Sequence, residues 1–151
     1  MATQTTGVFP VHANKFEVNT GTSGSTETWV EVAELEEVSV KIDNSTEEWN
    51  TFANGGWGSA LVTGKKSSIE IKGKRCLGDA GNDYIAGKLL ETGANAYISV
   101  RITMPNGDKL TWEKMACAVS NGGASGGATA VGGLEATLTG HGKPTLTKAG
   151  A

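Results

Sequence analysis

The stretch Ala96-Tyr97-Ile98-Ser99-Val100-Arg101-Ile102-Thr103-Met104-Pro105-Asn106-Gly107-Asp108 decides the fold. Ala96, Ile98, Val100, Ile102 and Met104 share one phase of a period-two pattern, and Tyr97, Ser99, Arg101 and Thr103 share the other. Strict alternation of this kind is a strand with one face buried. Pro105-Asn106-Gly107-Asp108 then predicts a tight hairpin turn, with Asn-Gly suited to positive φ. On the return strand Leu110 and Trp112 hold one phase, but Met115, Cys117 and Val119 hold the other. That slip predicts a β-bulge near Glu113 or Lys114.

Downstream, residues 120–133 are rich in glycine and read as a long flexible connection. A further strand follows, with Leu134, Ala136 and Leu138 inside and Glu135, Thr137 and Thr139 outside. The chain after Gly142 is polar, and residues 145–151 read as a C-terminal tail.

Upstream, Ser67–Lys74 alternates, with Ile69 and Ile71 on one face and Glu70, Lys72 and Lys74 on the other. A helix is predicted over about residues 79–91, with Asp79 as N-cap and Gly93 as the stop. Ile85 with Leu89, and Ala86 with Leu90, supply its apolar i, i+4 pairs. Gly81 and Gly87 weaken it, so packing must hold it. Residues 29–42 are β-like, but Glu34 and Glu36 fall in the apolar phase. Burying two carboxylates is costly, so a break or bulge is expected near Glu34. Residues 43–59 show no clean period and read as a long loop carrying Trp49, Phe52 and Trp57. Phe16 and Val18 suggest a short strand, and Asn19–Thr28 a flexible loop. Residues 1–28 as a whole read as an N-terminal arm outside the core. The expected organisation is one mainly β domain over residues 29–144, an antiparallel β-sandwich or small barrel with one flanking α-helix.

The chain has 151 residues and a mass of 15.5 kDa, which suits one domain. Its 22 glycines are about twice the usual share of roughly 7%. A net charge of -3 and a pI near 5.4 exclude a generally basic nucleic-acid binder. With 38% apolar residues and so little net charge, the chain should collapse rather than stay disordered. Its start lacks the basic and apolar regions of a signal peptide, and no apolar run approaches the ~20 residues of a membrane helix. A soluble chain, not exported by a signal-peptide route and not inserted in a membrane, is expected. Cys76 and Cys117 read as free thiols, with Cys117 in the core.

No chemistry is signalled. Phosphate-loop, dinucleotide and zinc-protease motifs are absent from the sequence. His12 and His141 lie near opposite ends, the cysteines lack metal-ligand spacing, and no serine is framed as a hydrolase elbow. Glu36-Glu37 and Glu47-Glu48 are adjacent, so on a strand they point to opposite faces. The reading is no enzyme, no cofactor and no metal.

The order of these features resembles the tail tube (major tail) proteins of long-tailed bacteriophages. The residues that carry the resemblance are Trp29–Val40, the loop ending in Trp57, Thr63–Gly73, the Asp79–Gly93 helix, the Met104-Pro105-Asn106-Gly107 hairpin and Leu134–Pro144. It spans about residues 29–144 and rests on joint order rather than on any single motif.

That resemblance implies a tail-tube fold and a structural virion protein, assembled in the bacterial host cytoplasm. Hexameric rings of the chain would stack into a tube that conducts DNA into the host. The implied partners are further copies of itself, tail tip or baseplate and tail terminator proteins, a tape measure protein in the lumen, and DNA in transit without specific binding. Long loop and arms contact the next subunit in such tubes. Trp49, Phe52, Trp57, Phe9 and Val11 are therefore candidate inter-subunit contacts, the alternative being packing within their own chain. Glu70, Glu113, Glu135, Thr137 and Thr139 are candidate lumen residues. An acidic wall would not retain phosphates, although Lys72 and Lys74 share the face of Glu70. A competing reading is a β-sandwich carbohydrate- or surface-binding module of a virion, stacking sugars on Trp49 and Trp57.

Overall fold

The computed structural model describes residues 6–21 and 27–149. It consists of β1 (Lys15–Asn19), β2 (Trp29–Glu31), β3 (Leu35–Asn50), β4 (Gly58–Lys74), α1 (Ala80–Ala86), β5 (Tyr97–Thr103), β6 (Lys109–Gly122), β7 (Gly133–Gly140) and β8 (Thr145–Thr147). Short 3-10 turns occupy Val11–Ala13 and Gly93–Ala96. All the strands lie in one antiparallel sheet in the order β2-β1-β5-β6-β7-β4-β3, with β8 also paired to β6. The mainly β class is as the alternation predicts.

The two edge strands, β2 and β3, are joined by only Val32-Ala33-Glu34. That link donates from the Val32 N–H to Phe16 C=O on β1, and it accepts from the Lys74 N–H, at the end of β4, on Glu34 C=O. Edges tied so closely force the sheet to curl upon itself. The inward residues of β1, β4, β5, β6 and β7 then meet in one core with Ile85 of α1. Trp112 lies at its centre, and its indole N–H donates to the buried Ser67 hydroxyl at 3.0 Å, tying β6 to β4.

The break expected near Glu34 is present. Glu34 has φ 62, and the β3–β4 register shifts between Leu35 and Glu37. The turn brings chain onto chain at two glycines. A Cβ at Gly73 would lie 2.2 Å from Glu34 O, and one at Gly81 would lie 2.8 Å from Glu31 O. Gly81 thus weakens α1 in isolation but lets it press against the β2 backbone. Asn82, fully buried, completes the join. Its Nδ2 donates to the Ala33 and Lys74 carbonyls, and its Oδ1 accepts from the Cys76 N–H and from Arg75. Arg75 also pairs with Asp83 at 2.7 Å.

The β5–β6 hairpin follows the sequence closely. Ile98, Val100 and Ile102 are buried, and Gly107 alone in the turn has positive φ. Ile98 pairs with Met115 and Val100 with Trp112, so the extra residue falls at Glu113–Lys114, where the bulge is predicted.

Four expectations are corrected. The helix stops at Ala86, capped by Gly87, because the next residues turn away, and Leu90 ends exposed. Asp79 is the N-cap, accepting from the Asn82 N–H. Residues 15–19 are not arm: they form β1, and Phe16 and Val18 are buried because β1 lies between β2 and β5. The tail is not wholly outside the sheet, since Thr145–Thr147 pairs with β6 as β8. The loop expected over residues 43–59 is, apart from its tip, the far end of a β-hairpin. The arm reading of residues 1–5, and the loop reading at 22–26, lie outside the described residues.

Candidate assembly surfaces

Strands β3 and β4 pair along their whole length, from Leu35 with Gly73 out to Asn50 with Gly58. Only residues 68–74 of β4 have a second neighbour, β7. Beyond Ser67 the hairpin is a free two-stranded ribbon with a register shift at Ser45/Thr46. Strand residues there have no third strand to bury against, so both faces remain in water. This hides the period in the sequence: without a core face, nothing selects alternate apolar residues. Pairing is instead visible across the ribbon, in Asp43 opposite Lys66 and Thr46 opposite Val62.

The tip is ordered by its own polar groups. The Gly55, Gly56 and Trp57 N–H groups donate to the Phe52, Thr51 and Asn54 carbonyls. Asn50 Nδ2 donates to Gly56 C=O at 2.7 Å, and Asn54 Nδ2 to the Ser59 hydroxyl at 2.7 Å. This frame holds Phe52 fully exposed, Trp57 81% exposed and Trp49 45% exposed. Leu61, Val62, Val40 and Ile42 are exposed along the shaft. Phe52 and Trp57 therefore make little packing contact within their own chain, whereas Trp49 is partly covered by it. The projection thus displays several large apolar side chains together. Phe9 and Val11 are also exposed, and Val11 reaches a groove described next.

That groove, about 420 Å³, opens where the edge of β3 faces β1, β5 and β6 without pairing. Val32, Leu35, Val38, Ile102 and Leu110 line it, with Glu31, Glu36 and Glu37 and with His12 and Asn14. Two adjoining hollows at the root of the ribbon are different in character. One is bordered by Lys65, Lys66 and Lys143, and the other by Lys114, His141 and Lys143.

The outward face of the sheet gathers four of the five lumen candidates. Ser39, Glu70, Thr137 and Ala118 form one row across β3, β4, β7 and β6. Glu37, Lys72 and Glu135 form the next, and Lys41, Ser68, Thr139 and Ala116 the row on the other side. Opposite charges directly across strands each contribute roughly 0.2–1 kcal/mol. Glu113 stands apart, displaced along β6 by the bulge.

Burial pushes the Cys117 thiol up to about 11, so it stays protonated and inert at neutral pH. Both cysteines are free, as expected. Asp108 is held below the usual carboxylate range, chiefly by the Ala149 backbone N–H, which clasps the end of the chain to the β5–β6 turn. Among the described residues no cluster of His, Cys, Asp and Glu could hold a metal ion, and no helix is long and apolar enough to cross a membrane.

No family model and no curated protein matches the sequence. Solved structures do match by shape. A chain of the tail of an empty gene transfer agent (GTA) particle, refined with C6 symmetry, superposes with a TM-score of 0.67 at 16% identity, covering 93% of this chain and 100% of that one. A chain of the native GTA virion gives 0.66 at 14% identity, again over 93% and 100%. A chain from the sheath-tube complex of an extracellular contractile injection system gives 0.61 at 14%, over 93% and 91%. These likenesses define the class as a fold of tail and injection-tube assemblies. The chain has the tail tube fold, shared with GTA tails and contractile injection systems and so not confined to long-tailed phages.

Proposed function

We propose that this chain is the repeating subunit of a tail tube, a non-enzymatic structural protein that forms hexameric rings and stacks them into a conduit for DNA. The free ribbon carries the reading. Its ordered tip and two open faces display aromatic and aliphatic side chains that the single chain leaves in water. The fold likeness supports it, since one neighbour is a tail of C6 symmetry. An open sheet with two edge strands also gains from assembly, because neighbouring copies cover the exposed edges.

The outward face of β3, β4, β7 and β6 is the proposed bore wall. It is smooth, with small side chains at Ser39, Ala116, Ala118, Thr137 and Thr139. Glu37, Glu70 and Glu135 balance Lys41, Lys72 and Lys74 on it, so a phosphate backbone finds no net attraction. Tail tip, terminator and tape measure proteins are the proposed partners in a virion tail. The carbohydrate-module reading gains nothing, since Trp49 and Trp57 line none of the three hollows.

Negative-stain electron microscopy of the purified chain over a range of concentrations tests the proposal. Rings or hollow tubes are expected. Monomers alone, up to the solubility limit, overturn it.

A further inference from the structure

Three asparagines of this chain precede a glycine: Asn54-Gly55, Asn106-Gly107 and Asn121-Gly122. Such a pair is chemically reactive. Glycine has no Cβ, so its amide nitrogen can approach the side-chain carbonyl carbon of the asparagine before it. The approach needs the side-chain amide to turn and the glycine N–H to leave its hydrogen-bond partner. The three pairs are alike in sequence and differ in what holds them.

Asn121 is half-buried on β6. Its Oδ1 accepts from the Gly123 N–H at 3.0 Å, and Gly122 pairs with the buried Leu134 of β7. Asn106 is exposed, but its turn is held from several sides. The Gly107 N–H donates to Met104 C=O at 2.9 Å, and the Met104 N–H to Asp108 C=O at 2.8 Å. Asn106 Oδ1 accepts from the Asp108 N–H at 3.0 Å, and the Asp108 carboxylate accepts in turn from the Ala149 N–H. Asn54 has only the ribbon tip. Its Nδ2 donates to the exposed Ser59 hydroxyl, and the Gly55 N–H donates to the carbonyl of Phe52, a residue itself in water. The hydrogen bonds that hold the tip close between Asn50 and Ser59. A two-stranded end without a third strand opens at low cost, and its opening leaves the core untouched.

We propose that Asn54 is a site of spontaneous deamidation in the folded chain, converting ahead of Asn106 and Asn121. In the opened tip the Gly55 amide nitrogen attacks Cγ of Asn54. A C–N bond forms, the Cγ–Nδ2 bond breaks, and the nitrogen leaves as ammonia, taking the proton that Gly55 gives up. The product is a cyclic imide. Water opens it at one of its two C–N bonds, giving aspartate or isoaspartate. Either product replaces a neutral amide by a carboxylate, and nothing is oxidised or reduced.

The position gives the reaction its consequence. No residue from Trp49 to Trp57 is charged, so one conversion turns an uncharged tip into an anionic one. The isoaspartate product also lengthens the backbone within a turn where Gly55 and Gly56 hold φ of 63 and 85. Under the tube-subunit reading, on which this consequence alone rests, a tip bearing a carboxylate is costlier to cover. Deamidation then limits how long a free chain stays competent to assemble.

The test ages the purified full chain at mildly alkaline pH and follows each asparagine by peptide mapping in the mass spectrometer. Asn54 is expected to convert about tenfold faster than Asn106 and Asn121, the ratio given by an opening ~1.4 kcal/mol cheaper. In urea, where the fold no longer distinguishes the pairs, the three rates should converge. Equal rates in the native chain, or a native order led by Asn106 or Asn121, overturn the site. A gap that persists in urea overturns its structural cause. Glutamine forms the corresponding imide far less readily, so ageing should weaken assembly of the unmodified chain and leave that of an Asn54→Gln chain as it was before ageing. Asn54→Asp should need severalfold more protein to assemble from the start. Equal losses in both aged chains overturn the effect on assembly and leave the site standing. Failure of the fresh, unmodified chain to assemble overturns the tube reading, while the order of conversion still decides the site.

Discussion

One strand, β4, lives in two environments. From Ser68 to Lys74 it is paired on both sides, by β3 and β7, and it sends Ile69 and Ile71 into the core. From Gly58 to Lys66 it has β3 alone, and Leu61 and Val62 face water. The same backbone geometry thus serves stability at one end and, in the proposed tube, contact at the other. Burying a side chain such as Ile71 contributes about 1.5–3 kcal/mol to folding. Leu61, 59% exposed, contributes little to the isolated chain, and its apolar surface is free for the proposed assembly. Stability and the proposed association are then separable, because they lie at opposite ends of one strand.

Substitutions at the inner end should break the fold, and those at the outer end should spare it. The largest effect is expected at Gly73, where any Cβ meets the Glu34 carbonyl. Gly73→Ala should cost about 3 kcal/mol or more, read as a lower urea midpoint. Asn82→Ala comes next. It strands the Ala33 and Lys74 carbonyls and the Cys76 N–H, and a loss of about 2–3 kcal/mol is expected in the same assay. The smallest effect belongs to the ribbon. Trp49→Ser with Leu61→Ser should shift stability by only about 0.5 kcal/mol while abolishing assembly in sedimentation velocity. A large loss of stability in that double variant would erase the contrast between the two ends.

The same division governs how much was legible in the sequence. Ala96–Met104 and Leu134–Thr139 could be read because one face of each meets the core, and burial imposes a period of two. The bulge at Glu113–Lys114 was visible for the same reason, as a slip between Trp112 and Met115. The Asp79 cap was legible because its chemistry is local. The ribbon was not, because a strand exposed on both faces has no period to show. Its aromatics stood out by type, yet their geometry depended on pairings such as Trp49 with Ser59 that composition does not reveal. Strand β1 was mistaken for arm because its partners, β2 and β5, are distant or follow an irregular stretch. Strand β8 is three exposed residues at an edge, too short for any pattern. The groove was invisible, since it is assembled from five strands and the segment before β1.

The continuity of β4 has a mechanical consequence. A pull on the ribbon tip travels along the strand axis into Ser68–Lys74, where the ladder to β7 lies parallel to the load. Bonds arranged that way are sheared together rather than unzipped one by one, so a chain held by its tip yields only when the whole ladder gives. The register shift at Ser45/Thr46 lies outside that ladder and supplies a compliant joint ahead of a stiff anchor.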